Sequence, residues 1–310
     1  DNAINCVYQG LAGFLWIGTE RGMDRYDGQR VDAVSGSGFA IAAITEDAQG
    51  MLWAATKNNG LLRVDRTART AEHLHRVEGD SQSIASDQLT AVFDLNDTTL
   101  LLGSREHTLI FMDKRTRAFT YWTDSTSIDP ARASPSPTGR TGWCHAITRL
   151  DEGLIWIGLL NSHTSFLADR RTSRLRRHLV IRRAGSECQT SMLLHEGMLY
   201  TGGWQNGMDV IALADLDGAS IAWSPNITTI PTPDEVTALA VWTDGSMLAA
   251  TRGNGLLRID LATHAINPSK HRRSDASSLP SDRIRCLLAD RHGILWVGTA
   301  NGLAFHAPQV

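Results

Sequence analysis

Seven copies of one short stretch organise this chain, and the clearest reads Gly-Phe-Leu-Trp-Ile-Gly-Thr at residues 13–19. The last copy reads Gly-Ile-Leu-Trp-Val-Gly-Thr at residues 293–299. Successive copies end 37, 48, 55, 44, 48 and 48 residues apart, at Thr19, Thr56, Ser104, Leu159, Gly203, Thr251 and Thr299. Short strands that repeat every ~40–50 residues are typical of the blades of a β-propeller.

Length and composition leave room for a single ring of blades. Seven units in 310 residues give 310/7 ≈ 44 residues per unit, so we predict one seven-bladed domain over residues 1–310. No blade can bury both of its faces alone, and the blades should therefore close on one another. The net charge of −3 argues against broad nucleic-acid binding. No apolar run reaches the ~20 residues of a membrane-spanning helix.

Three sequence columns predict the innermost strand of each blade. We aligned the units on the Gly or Ala that precedes the last residue of each copy. Fourteen positions upstream every residue is apolar: Ile4, Ile41, Leu89, Cys144, Cys188, Val236 and Ile284. Twelve positions upstream every residue is small: Cys6, Ala43, Ala91, Ala146, Thr190, Ala238 and Cys286. The residues between them are mostly polar: Asn5, Ala42, Thr90, His145, Gln189, Thr237 and Arg285. This alternation indicates a strand, and small side chains fit where blades converge near the axis.

Each copy itself predicts the second strand of its blade. A turn rich in Asn and Gly follows, and then a third strand such as 61–65 or 256–260. A more variable fourth strand, such as 118–122, ends the unit, and the Ser- and Pro-rich residues 123–142 predict a long loop after the third blade. The chain stops just past the third strand of the last blade at 303–306. We therefore expect the seventh four-stranded antiparallel blade to lack its fourth strand and the chain to come from a longer protein.

The repeat resembles that of a known family. Gly13, Leu15–Thr19, Gly22 and Arg25–Asp27 resemble the two-component regulator propeller repeat, and the pattern recurs in the second and seventh units. That repeat is found in extracytoplasmic sensor regions of bacterial hybrid two-component histidine kinases and of some diguanylate cyclases. The resemblance implies a periplasmic, non-catalytic ligand sensor, often for carbohydrate, that signals as a homodimer. Any membrane attachment would come through segments outside this chain.

The predicted ligand site lies at the entry to the central channel. Turns between second and third strands and loops between blades open there, and polar residues grafted on a rigid scaffold often carry function. Aromatic, amide, guanidinium and imidazole groups together suit a sugar or a sugar acid. The insertion at 123–142 could cover this face as a lid. The candidate binding residues are Arg105, His107, Trp143, His145, Asn161, His163, Trp204, Gln205, Arg252 and Arg285. Each of them could equally be an ordinary exposed turn residue.

Cysteine and histidine positions give no sign of a metal or cofactor. No Cys-x-x-Cys pair occurs. His73 and His75 are spaced as metal ligands on a strand can be, but no third ligand is indicated and a structural role is favoured. We predict that the four cysteines are free and buried as small apolar residues, namely Cys6, Cys144, Cys188 and Cys286.

Two other functional classes remain open. Motifs of catalytic nucleophiles, phosphate loops and zinc proteases are absent from the sequence, so we predict that this segment is not an enzyme and needs no cofactor. The alternative is a propeller enzyme resembling the streptogramin lyases, with His107, His145 or His163 at the channel mouth. A protein-interaction platform is a third reading, which a large exposed apolar patch would favour.

Overall fold

The predicted all-β class is confirmed. The computed structural model describes residues 2–67, 69–105, 109–121, 143–151, 153–160, 164–170, 174–180, 190–203, 207–213 and 227–307. Within these ranges the chain forms 27 strands and no α-helix, and hence no helix that could cross a membrane. The predicted long loop at 123–142 lies outside the described residues.

The strands form seven antiparallel sheets, numbered here in chain order. Sheet 1 contains β1 (Ile4–Gln9), β2 (Leu15–Thr19), β3 (Met23–Tyr26) and β4 (Val31–Ala33). Sheet 2 contains β5 (Ile41–Glu46), β6 (Leu52–Thr56), β7 (Leu61–Asp65) and β8 (Thr70–Leu74). Sheet 3 contains β9 (Leu89–Asp94), β10 (Thr99–Ser104), β11 (Leu109–Asp113) and β12 (Phe119–Tyr121).

The remaining four sheets follow the same order of strands. Sheet 4 contains β13 (Trp143–Arg149), β14 (Leu154–Leu160), β15 (Thr164–Asp169) and β16 (Arg174–Val180). Sheet 5 contains β17 (Ser191–His195), β18 (Met198–Gly202), β19 (Met208–Ala212) and β20 (Ile227–Ile230). Sheet 6 contains β21 (Val236–Val241), β22 (Met247–Thr251), β23 (Leu256–Ile259) and β24 (Ile266–Ser269). Sheet 7 contains β25 (Ile284–Ala289), β26 (Leu295–Thr299) and β27 (Gly302–His306).

The sheets are arranged around a common axis. The first strand of each sheet contacts the first strand of the next, from β1 to β25, and β25 contacts β1. This cyclic order of contacts is that of a β-propeller, in which the first strands line the centre. Sheet 7 has three strands in the described part of the chain, as the sequence predicted for the last blade.

The hydrophobic core lies between consecutive sheets. Between sheets 2 and 3, for example, the buried Trp53 and Leu61 pack with Leu89, Leu100 and Leu102. A similar cluster joins sheets 6 and 7. Because each sheet is buried on both faces by its neighbours, the second strands read as continuous apolar runs rather than as alternating ones.

Close approach of neighbouring sheets explains two of the sequence columns. A Cβ atom added to Gly298 would collide with Cys286 Sγ of its own sheet and would lie 2.8 Å from Ile4 Cγ2 of sheet 1. Gly18 is enclosed in the same way by Cys6 and by the side chain of Ile41 in sheet 2. The Gly therefore leaves a space that the small-column side chain of its own sheet and the apolar-column side chain of the next sheet fill together.

Sheet 5 departs from the predicted alignment by one residue. In the other six sheets the residue twelve positions upstream pairs with the Gly or Ala of the repeat. In sheet 5 it is Ser191, eleven upstream, that pairs with Gly202. The tight two-residue turn Glu196-Gly197, with φ of 48° and 74°, shortens this hairpin. The assignment of Thr190 to the small column was therefore wrong, whereas Cys188 and Gln189, assigned to the other two columns, lie outside the described residues.

In sheets 2 and 7 the Trp of the repeat is held by an Asp that precedes it by six residues. Trp53 Nε1 donates to Asp47 Oδ2 at 2.9 Å, while Asp47 Oδ1 accepts from the backbone N–H of Met51 at 2.9 Å. Trp296 and Asp290 make the same 2.9 Å bond in sheet 7. One carboxylate thus orders the turn and satisfies the indole N–H of a buried ring.

The Thr that ends the repeat closes the next turn. Thr56 is fully buried; its hydroxyl donates to Gly60 O at 2.7 Å and accepts from the N–H of Asn59 at 2.9 Å. Thr251 makes the same pair of bonds in sheet 6. Gly60 has φ of 70°, and a Cβ there would collide with Leu74 O. The spacing Thr-x-x-x-Gly in these sheets is therefore set by one turn geometry.

Replacing Thr56 with Val keeps the side-chain shape but removes the hydroxyl. The N–H of Asn59 and the carbonyl of Gly60 then lose a buried partner, so the free energy of unfolding should fall by about 1–3 kcal/mol. Chemical denaturation measures this change. Thr70→Val at the exposed start of β8 is the matched control and should cost less than about 0.5 kcal/mol. Equal losses in the two variants would contradict the assigned role of the hydroxyl.

Gly298→Ala tests the close approach of sheets 7 and 1. The added methyl group has no space between Cys286 and Ile4, so the free energy of unfolding should fall by about 1–3 kcal/mol through overpacking. Gly38→Ala is the control, because no atom lies within 4 Å of the position of its Cβ. The packing explanation fails if the denaturation midpoints of both variants equal that of the unchanged protein.

Candidate functional site

A β-bulge in the first strand aims one side chain of nearly every sheet at the axis. In sheets 1, 2, 3, 4, 6 and 7 the pairing of the first two strands shifts register between the apolar and small columns. A bulge of this kind re-aims the extra residue. The residues at the bulges are Asn5, Ala42, Thr90, His145, Thr237 and Arg285, and Thr190 takes the same place in sheet 5. We call these seven residues the channel wall.

The channel wall lines a cavity of about 380 Å³ at the channel mouth. Its rim is formed by the turns after second strands and by the loops before first strands. The rim side chains are Lys57, Arg105, Glu235, Arg252 and Arg283. Cavities of ~300–1,000 Å³ with a few convergent polar groups are typical of small-molecule sites.

Most wall residues bond to the backbone of the next sheet. Asn5 Nδ2 donates to Ile41 O at 2.9 Å, and Thr237 Oγ1 donates to Ile284 O at 2.9 Å. The hydroxyls of Thr90 and Thr190 likewise donate to the carbonyls of Cys144 and Val236, respectively. These bonds satisfy carbonyl groups between sheets. The polar column that the sequence shows therefore has a structural role as well as a place in the cavity.

The contact between sheets 7, 1 and 2 carries a cluster of charges. Glu20 Oε1 lies 2.7 Å from Arg285 Nη1 and 2.6 Å from Lys57 Nζ. Both cations also donate to Asn5 Oδ1. Burial alone would raise the pKa of Glu20, but hydrogen bonds and charges from Lys57 and Arg285 together lower it. Glu20 is therefore ionised at neutral pH and holds two of the cavity cations in place.

The rim has more positive than negative charge. Arg252 Nη1 pairs with Glu235 Oε2 at 2.8 Å, whereas the exposed Arg283 makes no ion pair with any residue in the described ranges. Arg105 lies on the far side of the rim from sheet 7, in the turn after β10. Five cations face the cavity, against the carboxylates of Glu235 and the adjoining Glu20. The described part of the site is therefore positive.

His145 contributes an imidazole ring to the wall of sheet 4. The ring is open to the cavity, and its Nδ1 lies 3.3 Å from Thr190 O. The surrounding protein desolvates it, and this lowers the pKa of His145; the bond to Thr190 and the charge of Glu235 act in the opposite direction, and the charge of Arg105 lowers it further. The ring is therefore neutral at neutral pH.

Four of the ten predicted binding residues come together in this cavity: Arg105, His145, Arg252 and Arg285. Trp143 begins β13, but its side chain lies outside the described part of the structure. The other five predicted residues fall outside the described ranges: His107, Asn161, His163, Trp204 and Gln205. Sequence reasoning missed Lys57, Glu235 and Arg283; Lys57 follows β6 as Arg105 follows β10, and that equivalence was the available signal.

The described cysteines are free, as predicted. Cys144 is buried, while Cys6 and Cys286 are partly buried, and Cys188 lies outside the described residues. Burial raises the pKa of Cys144 and of Cys286 to about 12, which keeps both as unreactive thiols.

His73 and His75 stack on each other at 4.7 Å between ring centroids, and His73 also packs at 4.7 Å on Phe39. His73 Nε2 further bonds to Asn59 O. No group of three metal-ligating side chains occurs among the residues that the structure describes. The two rings thus have structural contacts on the outside of sheet 2.

Comparison with known proteins supports the resemblance read from the repeat. A sequence model of the family described as "Two component regulator propeller" matches residues 278–301, which cover the last copy. No curated protein sequence matches the chain.

Solved structures share the fold at low sequence identity. The extracellular domain of BT3049 from B. thetaiotaomicron, a candidate hybrid two-component system, has a TM-score of 0.76 and 19% identity, covering 98% of this chain and 40% of that one. The corresponding domain of BT4673 has a TM-score of 0.74 and 18% identity, covering 98% and 38%. PorZ of the Porphyromonas gingivalis type-IX secretion system has a TM-score of 0.69 and 19% identity, covering 98% and 46%.

The chain thus spans less than half the length of each of these solved structures. At such identities the likeness shows the fold, and the sequence match identifies the repeat. The chain is therefore a β-propeller, and its last repeat, at 278–301, matches the two-component regulator propeller repeat that the Trp-Gly stretches resemble.

Proposed function

We propose that this chain is the seven-bladed, non-catalytic sensor propeller of a bacterial signal-transduction receptor and that it binds a small polar ligand at the channel mouth. The observation that carries the proposal is the cavity of about 380 Å³ into which all seven sheets send a wall residue. Such a site is built on the hydrogen-bonded first strands of the sheets, so a ligand would meet a preformed set of donors and acceptors.

A carbohydrate or a sugar acid suits this cavity best. Hydroxyl, amide, imidazole and guanidinium groups converge on it from the wall and rim, including Asn5, Thr90, Thr190, His145 and Arg105. Sugar hydroxyls both donate and accept hydrogen bonds, and this mixture of side chains offers both functions. A carboxylate on the sugar would add charge-assisted bonds to the arginines.

The receptor context comes from the repeat and from the longer relatives. The structural relatives named as two-component systems are extracellular domains, so we place this chain on the extracytoplasmic side, in the periplasm. Ligand binding would shift a homodimer of sensor regions from one conformational state toward another. Segments outside this chain would carry the signal to a kinase or cyclase. A ligand can shift such an equilibrium only by its difference in affinity for the two states.

The lyase alternative has less support in the described residues. Of its candidate histidines, His145 lines the cavity, and Glu235, the carboxylate whose charge acts on the His145 ring among the described residues, is paired with Arg252 at 2.8 Å. A general base needs a group that orients and activates it, and here that carboxylate is engaged elsewhere. Turnover of a bound sugar would nevertheless overturn the sensor proposal.

A thermal-shift screen of neutral sugars, sugar acids and amino acids tests the proposed site. A specific ligand should raise the melting temperature progressively with its concentration. Binding at the channel mouth predicts that the double variant Arg105→Ala/Arg252→Ala weakens the affinity by about tenfold or more, because charged hydrogen-bond donors are lost.

Arg30→Ala is the matched control for that experiment, since Arg30 is exposed on sheet 1 and does not line the cavity. It should bind the ligand as the unchanged protein does. Calorimetric titration of the same three proteins gives the affinities. An affinity that survives the double variant would place the ligand elsewhere and would sink the channel-mouth proposal.

A further inference from the structure

We propose that the channel-mouth cavity selects an anionic ligand and that His145 takes up a proton when the anion enters. This inference rests on the proposed function and names the chemistry of its ligand. It stands on three observations: the excess of cations on the rim, the arrangement of those cations around the cavity, and the position of His145 within it.

The cations surround the cavity instead of forming one ion-pair network. Lys57 belongs to sheet 2, Arg105 to sheet 3, Arg252 follows β22 of sheet 6, and Arg283 and Arg285 belong to sheet 7. The ring closure needs Arg285, which bonds to Asn5 and Glu20. Arg283, by contrast, is exposed and has no ion-pair partner in the described ranges. An anion would supply the missing counter-charge.

The same excess of positive charge would repel a cationic ligand. Among the described residues, a cationic ligand would meet five like charges and two carboxylates that are already engaged: Glu20 with Lys57 and Arg285, and Glu235 with Arg252. Breaking one of those pairs to bind a cation would leave guanidinium or ammonium groups without a partner. The charge pattern therefore gives selectivity by repulsion as well as by attraction.

His145 is placed to respond to the charge of the ligand. Its strand β13 packs against β9, β10, β14 and β17, and Arg105 directly follows β10. The wall residue of β9 is Thr90, and that of sheet 5, which contains β17, is Thr190; both are uncharged. The turn at 161–163, which follows β14, lies outside the described residues. The charged groups that act on the ring are Arg105 and Glu235. Without a ligand the walls and Arg105 favour the neutral ring, whereas an anion beside it would favour the imidazolium.

The direction of the pH effect follows from linkage. The empty site lowers the pKa of His145, and an anion would raise it again. Affinity for the anion should therefore increase as the pH falls from above the pKa in the complex to below the pKa in the empty protein, and then level off. A difference of one pKa unit between the two states corresponds to a tenfold change in affinity.

Calorimetric titration with D-galacturonate, D-galactose 6-sulfate and D-galactose tests both parts. The three probes share a ring and differ in charge, and both acids stay ionised between about pH 5.5 and pH 7.5. We expect either acid to bind at least about tenfold more tightly than galactose, and to gain up to about tenfold on going to the lower pH. The relative affinities of the two acids show whether the site prefers a carboxylate or a sulfate group.

Three variants assign the effect to residues. His145→Asn removes the titrating ring, keeps a hydrogen-bond donor and should abolish the pH dependence. His264→Asn, at an exposed position with φ of 59° that Asn tolerates, should retain it. Arg283→Gln should weaken the affinity for both acids at both pH values without removing the pH dependence. Because Arg283 is exposed, this variant should stay folded and still tests the anion preference if His145→Asn does not fold.

The outcomes separate this inference from the sensor proposal. Galactose binding as tightly as the acids overturns the anion preference while leaving a sugar sensor. An acid that binds equally at both pH values, or whose pH dependence survives in His145→Asn, overturns the proton uptake alone. Failure of both acids and of inorganic sulfate to bind at matched ionic strength overturns the inference, and the wider thermal-shift screen then decides the sensor proposal independently.

Discussion

The structure depends on how closely neighbouring sheets approach one another beside the axis. The Gly of the repeat lies where an added Cβ atom would collide with its own sheet or with the next, as at Gly18, Gly103, Gly202 and Gly298. Because the last sheet meets the first by the same contact, one spacing must serve at every junction. Cores packed at this density tolerate neither an added methyl group nor a lost one without cost.

The same close approach produces the cavity. In six of the first strands a bulge shifts the register of pairing with the second strand, and the pairing resumes beyond it. Each bulge frees a side chain to point inward, where Asn5, Thr90 and Thr237 bond to carbonyls of the next sheet. The wall is thus polar for reasons of stability, whereas the exposed Arg283 on the rim has no ion-pair partner in the described ranges.

Sequence reasoning succeeded wherever a local pattern was strong. The third strand predicted at 61–65 is β7, and the strand predicted at 303–306 begins one residue earlier as β27. It failed in sheet 5, because a two-residue turn at Glu196-Gly197 moved every residue of β17 by one position relative to the alignment. A count from one landmark cannot detect such a shortening when the inner strand itself has no strong motif.

For the site, sequence by itself determined the candidate positions but not their relationships. The spacing of the repeat showed that Arg105 and Arg252 directly follow second strands and that Arg285 belongs to the polar column of the first strands. Only the tertiary structure decided that Glu20 of sheet 1 pairs with both Lys57 of sheet 2 and Arg285 of sheet 7, and that Thr190 lines the cavity for sheet 5. The reason is physical: periodicity is local to a blade, whereas charge balance and burial at the channel mouth depend on residues that meet only when the ring closes.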